Sequence, residues 1–364
     1  MKPKQTCRVL VIAAILVSGI LVSRVDAVVI RGGDILVVDF VTDNVVHIDP
    51  ITGAQASISS GGVFLSLFGV GLDTNGLLYV VDRDAFNITN QGSGGVIRVD
   101  PATGQQTVVS VRDNLESPMG MAVEANGDVV AASFFGDSIV RVDPATGAQS
   151  LVATNGLLSG PIGLVVETNG NLLVADSDAP AVLRVDPASG AQVSVSQAGL
   201  FNQPSGVAVE ADGHIVVADI GAGSLFRIDP ATGAQSVVTA ALTLPFGVAV
   251  EADGSLLVTD HDTGFGPGRV VRVDPVTGVA TVLSSGNLLA FPTGIFVVPA
   301  GFNLLGDFDG DGDVDLADYA FFAGCQTLPG GGVLAGCDAT DIYVDGDTDL
   351  ADFAGFTVAF TGAL

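Results

Sequence analysis

The stretch Arg141-Val-Asp-Pro-Ala-Thr-Gly-Ala-Gln149 returns along the chain with small changes, and its spacing decides the fold. Its aspartate marks six copies, and successive copies lie 51, 43, 43, 43 and 45 residues apart. A fixed period near 43 residues indicates one supersecondary unit that is repeated, because neighbouring copies must stack to bury their apolar faces. The six aspartates are Asp49, Asp100, Asp143, Asp186, Asp229 and Asp274.

Each copy contains four short runs rich in β-branched residues, separated by turn residues. Asp212-Gly213, between two such runs, is typical of a β-hairpin. In Asp-Pro-Ala-Thr-Gly, the proline fixes φ at the turn and the glycine permits a positive φ where the next strand begins. No run is long enough for a helix, so the sequence predicts an all-β fold whose units have the size of propeller blades.

The two ends of the repeat region predict a closed ring rather than an open solenoid. Residues 34–39 match the second strand of a unit, whereas residues 292–298 match the first strand. The C-terminal strand can therefore complete the blade that the N-terminal strand begins, which leaves no exposed sheet edge at the junction. We expect a six-bladed β-propeller over residues 28–301, preceded by a leader at 1–27 and followed by a small α-helical tail at 302–364.

The stretch Gly247-Val-Ala-Val-Glu-Ala-Asp-Gly-Ser-Leu-Leu-Val-Thr-Asp260 resembles the repeats of six-bladed propellers of the NHL-repeat, gluconolactonase and streptogramin-lyase type. The resemblance covers residues 28–300 and implies a fold more than a function, because such propellers serve many purposes. For the lyase and lactonase relatives it implies a divalent metal held by Glu, Asn, Asp or His near the channel mouth. A WD40 propeller is disfavoured, since the chain has no Trp.

Residues 1–27 have the pattern of a secretory signal, with Lys2, Lys4 and Arg8 before an apolar run at 9–22 and a small-residue cleavage site at 25–27. An uncleaved membrane anchor is the alternative, although the apolar run is short for a membrane span. Without the leader the chain keeps nine Arg, no Lys and 39 acidic residues, a net charge of −30. This charge disfavours nucleic acid and anionic membranes as partners. We expect a secreted or cell-surface monomer.

Ligand sites on a propeller are expected around the mouth of the central channel, on the face opposite the Asp-Pro turns. Two links on this face are longer than in the other units, Arg83–Gly95 and His261–Gly268, and enlarged loops either carry specificity or reflect drift. The residues that lead into the first strands should line the mouth, and none is charged or His, which weakens an enzymatic interpretation. They are Phe68, Met119, Ile162, Ser205, Phe246 and Thr293.

A ring of carboxylates is expected where the second strands end. The ring could hold a metal or a cationic ligand, or each carboxylate could accept backbone N–H groups in its own turn. Its recurrence in nearly every unit favours the structural role. The members are Asp39, Asp82, Asp176, Asp219 and Asp260, with Ser133 in the sixth place.

Arginine also recurs, on the third strand of most units. Alternation places Arg141 and Asp143 on one face of that strand, where they can pair between blades. The repeat arginines are Arg98, Arg141, Arg184, Arg227 and Arg272.

His261, beside Asp260 on an enlarged link, is the best single candidate for catalysis or metal binding on the propeller. One histidine without a second His or a nucleophile is weak support, and His47 and His214 complete no Ser-His-Asp or Cys-His arrangement. We therefore predict no catalytic residue. The alternative is a metal-dependent lyase or lactonase that uses His261 and Asp260.

The tail carries the most specific chemical signal. The stretch Asp307-Phe-Asp-Gly-Asp-Gly-Asp-Val-Asp-Leu-Ala-Asp318 matches an EF-hand loop, with glycine at the sixth position and an apolar residue at the eighth. Calcium requires six to eight oxygen ligands, and the loop wraps them around one centre. The predicted ligands are the carboxylates of Asp307, Asp309, Asp311, Asp315 and Asp318 and the backbone carbonyl of Asp313.

A second, weaker copy of the loop begins at Asp341, with Tyr343 in place of one carboxylate. Its predicted calcium ligands are Asp341, Asp345, Asp347, Asp349 and Asp352. Apolar stretches at 316–322 and 350–360 predict one short helix after each loop. The duplicated loop and helix resemble the dockerin type I module, which implies a cohesin-like partner. The family contacts cohesin around loop positions 10 and 11, where this chain has Leu316-Ala317 and Leu350-Ala351 instead of a Ser-Thr pair.

Cys325 and Cys337, the cysteines that remain without the leader, lie between the two loops. In an exported chain an even pair favours a disulfide, with free thiols as the alternative. The sequence thus predicts an exported, non-catalytic binding or scaffold propeller. Its calcium-binding tail would dock it to a cohesin-like protein or attach it to a cell-surface partner.

Overall fold

The structure, a computed structural model, describes residues 28–85, 93–262 and 266–302, and in the tail residues 307–308, 316–327, 333, 337, 340, 342, 348 and 352–353. Over these ranges the chain forms six four-stranded antiparallel sheets arranged as the blades of a propeller. The predicted all-β propeller with a small helical tail is confirmed.

The strands of each blade are given from the channel outward. Blade 1 contains β24 (Pro292–Val297), β1 (Ile35–Asp39), β2 (Asn44–Ile48) and β3 (Gln55–Ser60). Blade 2 contains β4 (Leu67–Leu72), β5 (Leu78–Asp82), β6 (Ser93–Val99) and β7 (Gln106–Glu116). Blade 3 contains β8 (Pro118–Val123), β9 (Val129–Ser133), β10 (Ser138–Val142) and β11 (Gln149–Thr154).

Blade 4 contains β12 (Pro161–Val166), β13 (Leu172–Asp176), β14 (Ala181–Val185) and β15 (Gln192–Gln197). Blade 5 contains β16 (Pro204–Val209), β17 (Ile215–Asp219), β18 (Ser224–Ile228) and β19 (Gln235–Thr239). Blade 6 contains β20 (Leu244–Val250), β21 (Leu256–His261), β22 (Arg269–Val273) and β23 (Ala280–Ser285).

The ring closes as the sequence predicts, because β24 pairs with β1 in the register Ile35↔Val297 and Val37↔Ile295. The two chain segments also rebuild the hairpin turn that the other blades make from one continuous stretch. The amide of Gly33 donates to the carbonyl of Val298, and the amide of Val298 donates to the carbonyl of Asp34, each at 2.9 Å. Backbone pairing alone therefore replaces the missing turn.

The core lies between the blades. Every residue of β1, β5, β9, β13 and β17 is buried. Both faces of these second strands are covered by neighbouring blades, which explains why their sequences are apolar throughout rather than alternating. Burial of apolar surface at about 25 cal/mol per Å² is the main force that holds the blades together.

The Asp-Pro-Ala-Thr-Gly turn joins blades as well as strands. In blade 5, the Asp229 carboxylate accepts the amides of Ala231 at 2.8 Å and Thr232 at 3.2 Å, and these bonds lower the pKa of Asp229. Gly233 has φ of 71°, and a Cβ there would lie 2.5 Å from the carbonyl oxygen of Val195 in blade 4. Glycine is required both by the turn and by the close approach of the next blade.

The glutamine that ends the repeated stretch ties its blade to the one before it in five of the six blades, whereas blade 6 has Ala280 at this position. Gln235 donates from Nε2 to Ser196 Oγ at 2.9 Å, and its Oε1 accepts the amide of Leu200 at 2.6 Å. The same arrangement crosses the closing junction, where Gln55 donates to Ser284 Oγ at 2.9 Å. Sequence reasoning had assigned this residue no role.

The prediction that Arg141 and Asp143 pair between blades is wrong. Arg141 instead forms a two-point ion pair with Glu124 of its own blade, with Nη2 2.7 Å from Oε1. Asp143 is already used by its own turn, where it accepts the amide of Ala145 and the hydroxyl of Thr146. The same two-point pair recurs in three further blades: Arg184–Glu167, Arg227–Glu210 and Arg272–Glu251.

In the tail, α1 spans Leu316–Cys325, as predicted after the first loop. The expected disulfide joins Cys325 to Cys337. Phe322 is fully buried, and its ring lies 6.1 Å from that of Phe308 and 5.9 Å from that of Phe353. Among the described residues, none of the helices is both long and apolar enough to cross a membrane.

Candidate functional site

Two faces of the propeller differ in what they carry. The lower face bears the Glu-Ala-Asp-Gly and Asp-Pro turns. The upper face bears the turns after the second strands and the segments that lead into the first strands, and the predicted ligand sites lie there.

The aspartates of the predicted ring act as clips on the upper face. Asp219 accepts the amides of Asn202 at 2.8 Å and Gln203 at 2.9 Å, and also that of Ala222 at 2.8 Å. One carboxylate thus joins the segment before β16 to the turn after β17. Only the hydrogen bond from Ala222 was expected, since the prediction placed the N–H donors within the aspartate's own turn.

The same clip appears around the ring. Asp39 accepts amides from Thr42 on one side and from Ala290 and Phe291 on the other. Ser133, which replaces aspartate in blade 3, accepts the amide of Glu116 at 2.8 Å. These contacts engage the acceptor oxygens that a metal would need.

Burial shifts the acidity of two ring members. It raises the pKa of Asp176 to about 6, against the lowering effect of hydrogen bonds from Ser159 and Ala179. It also raises the pKa of Asp82, which accepts amides of Leu65 and Ser66. The charged form is penalised because these carboxylates lie out of water.

Asp260 and His261, the candidates for an enzymatic site, have different partners in the structure. Asp260 is fully buried and accepts the amides of Thr243 at 3.0 Å and Leu244 at 2.8 Å, together with the guanidinium of Arg269. The His261 ring packs on Phe291 at 4.5 Å. Across 28–85, 93–262, 266–302 and the described tail positions, no three His, Cys, Asp or Glu side chains are arranged to hold a metal.

The hydroxyl groups at the mouth are used to join blades. Ser205 Oγ lies 3.1 Å from the carbonyl oxygens of both Ala218 and Pro245. Thr293 Oγ1 lies 3.0 Å from the carbonyl oxygen of Leu67 and 3.2 Å from that of Val38. Neither hydroxyl is placed as a nucleophile with an adjacent base.

Six glycines line the channel below the mouth. A Cβ at Gly163 would lie 2.3 Å from the carbonyl oxygen of Ser205 in the next blade, so the innermost strands touch backbone to backbone. The cavity between these strands is partly open and measures about 70 Å³, with a lining mainly of glycine and apolar side chains, so it has room for water but not for a drug-sized ligand. The glycines are Gly69, Gly120, Gly163, Gly206, Gly247 and Gly294.

Above these glycines, aromatic rings from blades 6, 1 and 2 converge. Phe40 lies 5.3 Å from Phe68 and 5.8 Å from Phe291, and Phe68 lies 5.4 Å from Phe246, measured between ring centroids. These rings are tilted or edge-on, as aromatic clusters prefer. We call the following set the aromatic mouth: Phe40, Phe68, Phe246, Phe291, His261 and Arg83.

Arg83 is the cation of the aromatic mouth, and its position is fixed from three sides. Its Cζ lies 5.2 Å from the ring centre of Phe40 and 5.3 Å from that of Phe68. Its Nε and Nη2 both donate to Asp84, at 3.2 and 3.0 Å. Asp84 is in turn held by the hydroxyl of Ser66 at 2.8 Å.

The sequence analysis named Phe68 and Phe246 but missed Phe40, Phe291 and Arg83 as members of this surface. A usable signal was present, because the residue directly after each ring aspartate differs from blade to blade while the aspartate recurs. That position holds Phe40, Arg83, Phe134, Ser177, Ile220 and His261.

The remainder of the upper face is also rich in exposed apolar side chains. Val41 and Leu65, with 59% and 51% of their surface exposed, flank the aromatic mouth, and Phe135 of blade 3 is 67% exposed. Both enlarged links start at residues of the aromatic mouth, Arg83 and His261. Exposed apolar side chains beside an aromatic cluster are typical of an interaction surface.

Comparison with known proteins supports the fold and leaves the function open. Residues 201–226 match the NHL repeat family. A chain in a crystal structure of a nidogen/laminin complex is similar to this one with a TM-score of 0.62 and 18% identity, over 73% of this chain and 98% of that chain. A streptogramin B lyase structure is similar with a TM-score of 0.50 and 14% identity, over 64% of this chain and 74% of that chain. No curated protein is similar in sequence. At these identities, the likeness shows the propeller fold alone.

In the tail, the described residues include the last position of each predicted calcium loop. Asp318 and Asp352 are both fully buried, and Asp318 accepts the amide of Phe308 at 2.6 Å. The other predicted ligands, apart from Asp307, lie outside the described residues. They are Asp309, Asp311, Asp313, Asp315, Asp341, Asp345, Asp347 and Asp349.

Proposed function

We propose that the protein is an exported, non-catalytic binding or scaffold propeller that holds a partner at the aromatic mouth. One observation carries the proposal: the upper face gathers aromatic side chains over a narrow channel, while the carboxylates around it are engaged by backbone amides. A surface of this kind binds mainly by burying apolar area.

The alternative is a metal-dependent lyase or lactonase of the streptogramin-lyase or gluconolactonase type. It would need Asp260 and His261 to share a metal. Asp260, however, already forms an ion pair with Arg269 and accepts hydrogen bonds from two backbone amides. A metal that binds the propeller and is lost in Asp260→Asn and His261→Ala variants would favour the enzyme.

The tail is proposed to bind calcium. The stretch from 307 to 352 contains no basic residue, and its aspartates follow the spacing of calcium-binding loops. The last position of each loop, Asp318 and Asp352, is buried, as expected of a residue that closes such a loop. Oxygen-rich loops of this composition suit calcium, a hard cation that takes six to eight oxygen ligands.

The calcium-loaded tail would dock the propeller to a cohesin-like protein or to a cell-surface partner. The buried aromatic contacts of Phe322 with Phe308 and Phe353 join the two halves of the tail, as a paired module requires. The Leu-Ala pairs at loop positions 10 and 11 predict a partner surface more apolar than one that reads Ser-Thr.

Calcium titration of the full-length protein, followed by calorimetry, tests the tail. We expect saturable binding that Asp318→Ala weakens at least about tenfold, since a carboxylate ligand to a hard cation is lost. Asp212→Ala, which removes an exposed carboxylate of the propeller, is the matched control and should bind as the wild type. Equal affinity in the Asp318→Ala variant and the control would contradict the proposal.

Partner capture tests the two binding surfaces separately. Immobilised full-length protein is compared with Phe246→Ala and Asp318→Ala variants in the same extract. We expect Phe246→Ala to lose the partners that bind the aromatic mouth, and Asp318→Ala to lose those that bind the tail. The partners of the tail should also be lost when a calcium chelator is added. If neither variant changes what is captured, the proposed roles of both surfaces are wrong.

A further inference from the structure

We infer that Arg83 makes the aromatic mouth a receptor for a carboxylate carried on an apolar body, such as an aromatic acid or the C-terminus of a polypeptide. The inference deepens the proposed function and depends on it, because it names the chemistry that the aromatic mouth selects.

The first step is the placement of the guanidinium. Its Cζ lies over both Phe40 and Phe68, close enough for cation–π attraction to each ring. The Arg83 side chain nevertheless remains 32% exposed. A cation is therefore presented at the surface of an apolar cluster, and its side chain has little freedom left to lose when a ligand binds.

The second step is the division of its hydrogen bonds. The Nε and Nη2 donors are directed to the single oxygen Oδ2 of Asp84, which Ser66 also holds. Within the described ranges the Nη1 group has no hydrogen-bond partner. The guanidinium is thus fixed through Nε and Nη2, and its Nη1 group can donate to a carboxylate oxygen of a ligand.

The third step is the surrounding charge. Asp84 is paired with Arg83, and the carboxylates of Asp39, Asp43 and Asp82 lie close to one another beside it, so the neighbourhood is negative apart from Arg83 itself. More distant carboxylates of this acidic protein are screened over about 8 Å at physiological ionic strength. Selection for a carboxylate therefore depends on its direct contact with the open edge of the Arg83 guanidinium.

The fourth step is the apolar part of the ligand. Phe246 and Phe291 extend the cluster away from Arg83, and Val41 and Leu65 are exposed beside it. The ring planes are tilted at 57° to 66° to one another, so they form a pitted surface rather than a flat platform. Such a surface fits a phenyl or branched aliphatic group better than the flat face of a sugar.

The test uses 3-phenylpropionate and its neutral analogue 3-phenylpropionamide, with binding to the full-length protein measured by calorimetry or ligand-observed NMR. We expect the acid to bind at least about tenfold more tightly than the amide, the size typical of one charge-assisted hydrogen bond. In Arg83→Gln, the acid should fall to the affinity of the amide, and the amide should be unaffected. Arg83→Lys, which keeps the charge and loses the planar fork, should be intermediate.

Two control variants separate this inference from the proposed function. Phe246→Ala should weaken the acid and the amide alike, whereas Phe135→Ala, on the same face in blade 3, should change neither. Equal affinity for acid and amide, or an acid affinity unchanged in Arg83→Gln, would overturn the carboxylate inference. If Phe246→Ala still weakened both probes, the binding role of the mouth would stand; if neither probe bound at all, both would fall.

A third probe, acetyl-Ala-Ala-Phe with a free C-terminal carboxylate, distinguishes the source of the group. Affinity at least about tenfold above that of 3-phenylpropionate would assign the site to a polypeptide C-terminus, since an extended chain buries more surface on the upper face. Affinity equal to or below that of the small acid would assign it to a small aromatic acid. Both results support the chemistry, provided that Arg83→Gln abolishes the preference for the carboxylate.

Discussion

The lower and upper faces of the propeller are built from the same repeat, yet they use it in opposite ways. On the lower face, the Asp-Pro turn recurs in all six blades, and the same Arg–Glu pair recurs in blades 3 to 6, where the two charges compensate each other within the blade. On the upper face, only the ring aspartate recurs, and the residue after it changes from Phe40 to Arg83 to Ser177. Constant positions hold the blades together, and variable positions are available for binding.

The largest expected effect comes from the glycines that line the channel. Gly163→Ala would place a Cβ 2.3 Å from the carbonyl oxygen of Ser205, so two innermost strands would have to move apart. We expect a loss of about 3 kcal/mol or more in the free energy of unfolding, at or above the upper end of the usual cost of overpacking, because backbone atoms block the added methyl group. Denaturant titration measures it.

Gly71→Ala is the matched control, because blades 3 and 5 carry Ala122 and Ala208 at the same position. Its Cβ would meet only the flexible end of Met121 at 3.2 Å and a methyl of Val123 at 3.4 Å. We expect unchanged or slightly raised stability, since alanine restricts the unfolded chain. If both variants were equally stable, the close backbone contact between innermost strands would not be what requires glycine at position 163.

The next effect concerns the aspartate clip. Asp219→Ala removes the acceptor of three backbone amides, and two of these belong to a segment that has to be held before β16. We expect a loss of about 2–4 kcal/mol, because buried donors are left unsatisfied. Asp219→Ser, which copies Ser133 of blade 3, should recover part of that stability in the same denaturation assay. No recovery would show that the serine of blade 3 depends on other changes in that blade.

The sequence predicted most of what the constant positions do. Period, closure and the four strands of each blade followed from Asp-Pro turns, apolar second strands and the matching chain ends. The pairing of Arg141 with Glu124 was missed because alternation within one strand says nothing about a side chain that reaches in from a neighbouring turn. The aromatic mouth was found only in part, because Phe40, Phe291 and Phe246 lie far apart in sequence and meet only when the ring closes.

A smaller effect is the pH dependence that the ring carries. Because the folded-state pKa of Asp176 is about 6 and its ordinary value is 3.8, the native state binds this proton more tightly than the unfolded chain. The stabilisation is present below pH 4 and is lost as the pH rises through about 6. Asp176→Ser should remove this decline.

The exposed turn aspartates act in the opposite direction at lower pH. Hydrogen bonds lower the pKa of Asp143 and Asp274, so their contribution is present above pH 4 and is lost as the pH falls below it. Unfolding measured at several pH values between 3 and 8 separates the two slopes. If Asp176→Ser kept the decline between pH 4 and 6, the protonation would belong to another group, with Asp82 as the first candidate.

The smallest effect on stability is expected in the aromatic mouth, where a substitution should mainly weaken ligand binding. Phe40→Ile places at the variable position of blade 1 the residue that blade 5 carries as Ile220. It removes the ring contacts with Phe68 and Phe291 and one face of the Arg83 cation–π pair, at a cost of about 1 kcal/mol. Binding of 3-phenylpropionate should weaken several-fold. The reciprocal change Ile220→Phe, in blade 5 and outside the aromatic mouth, should alter neither stability nor binding. A large loss of stability in Phe40→Ile without a change in binding would contradict the view that constant positions stabilise the blades and variable positions bind ligands.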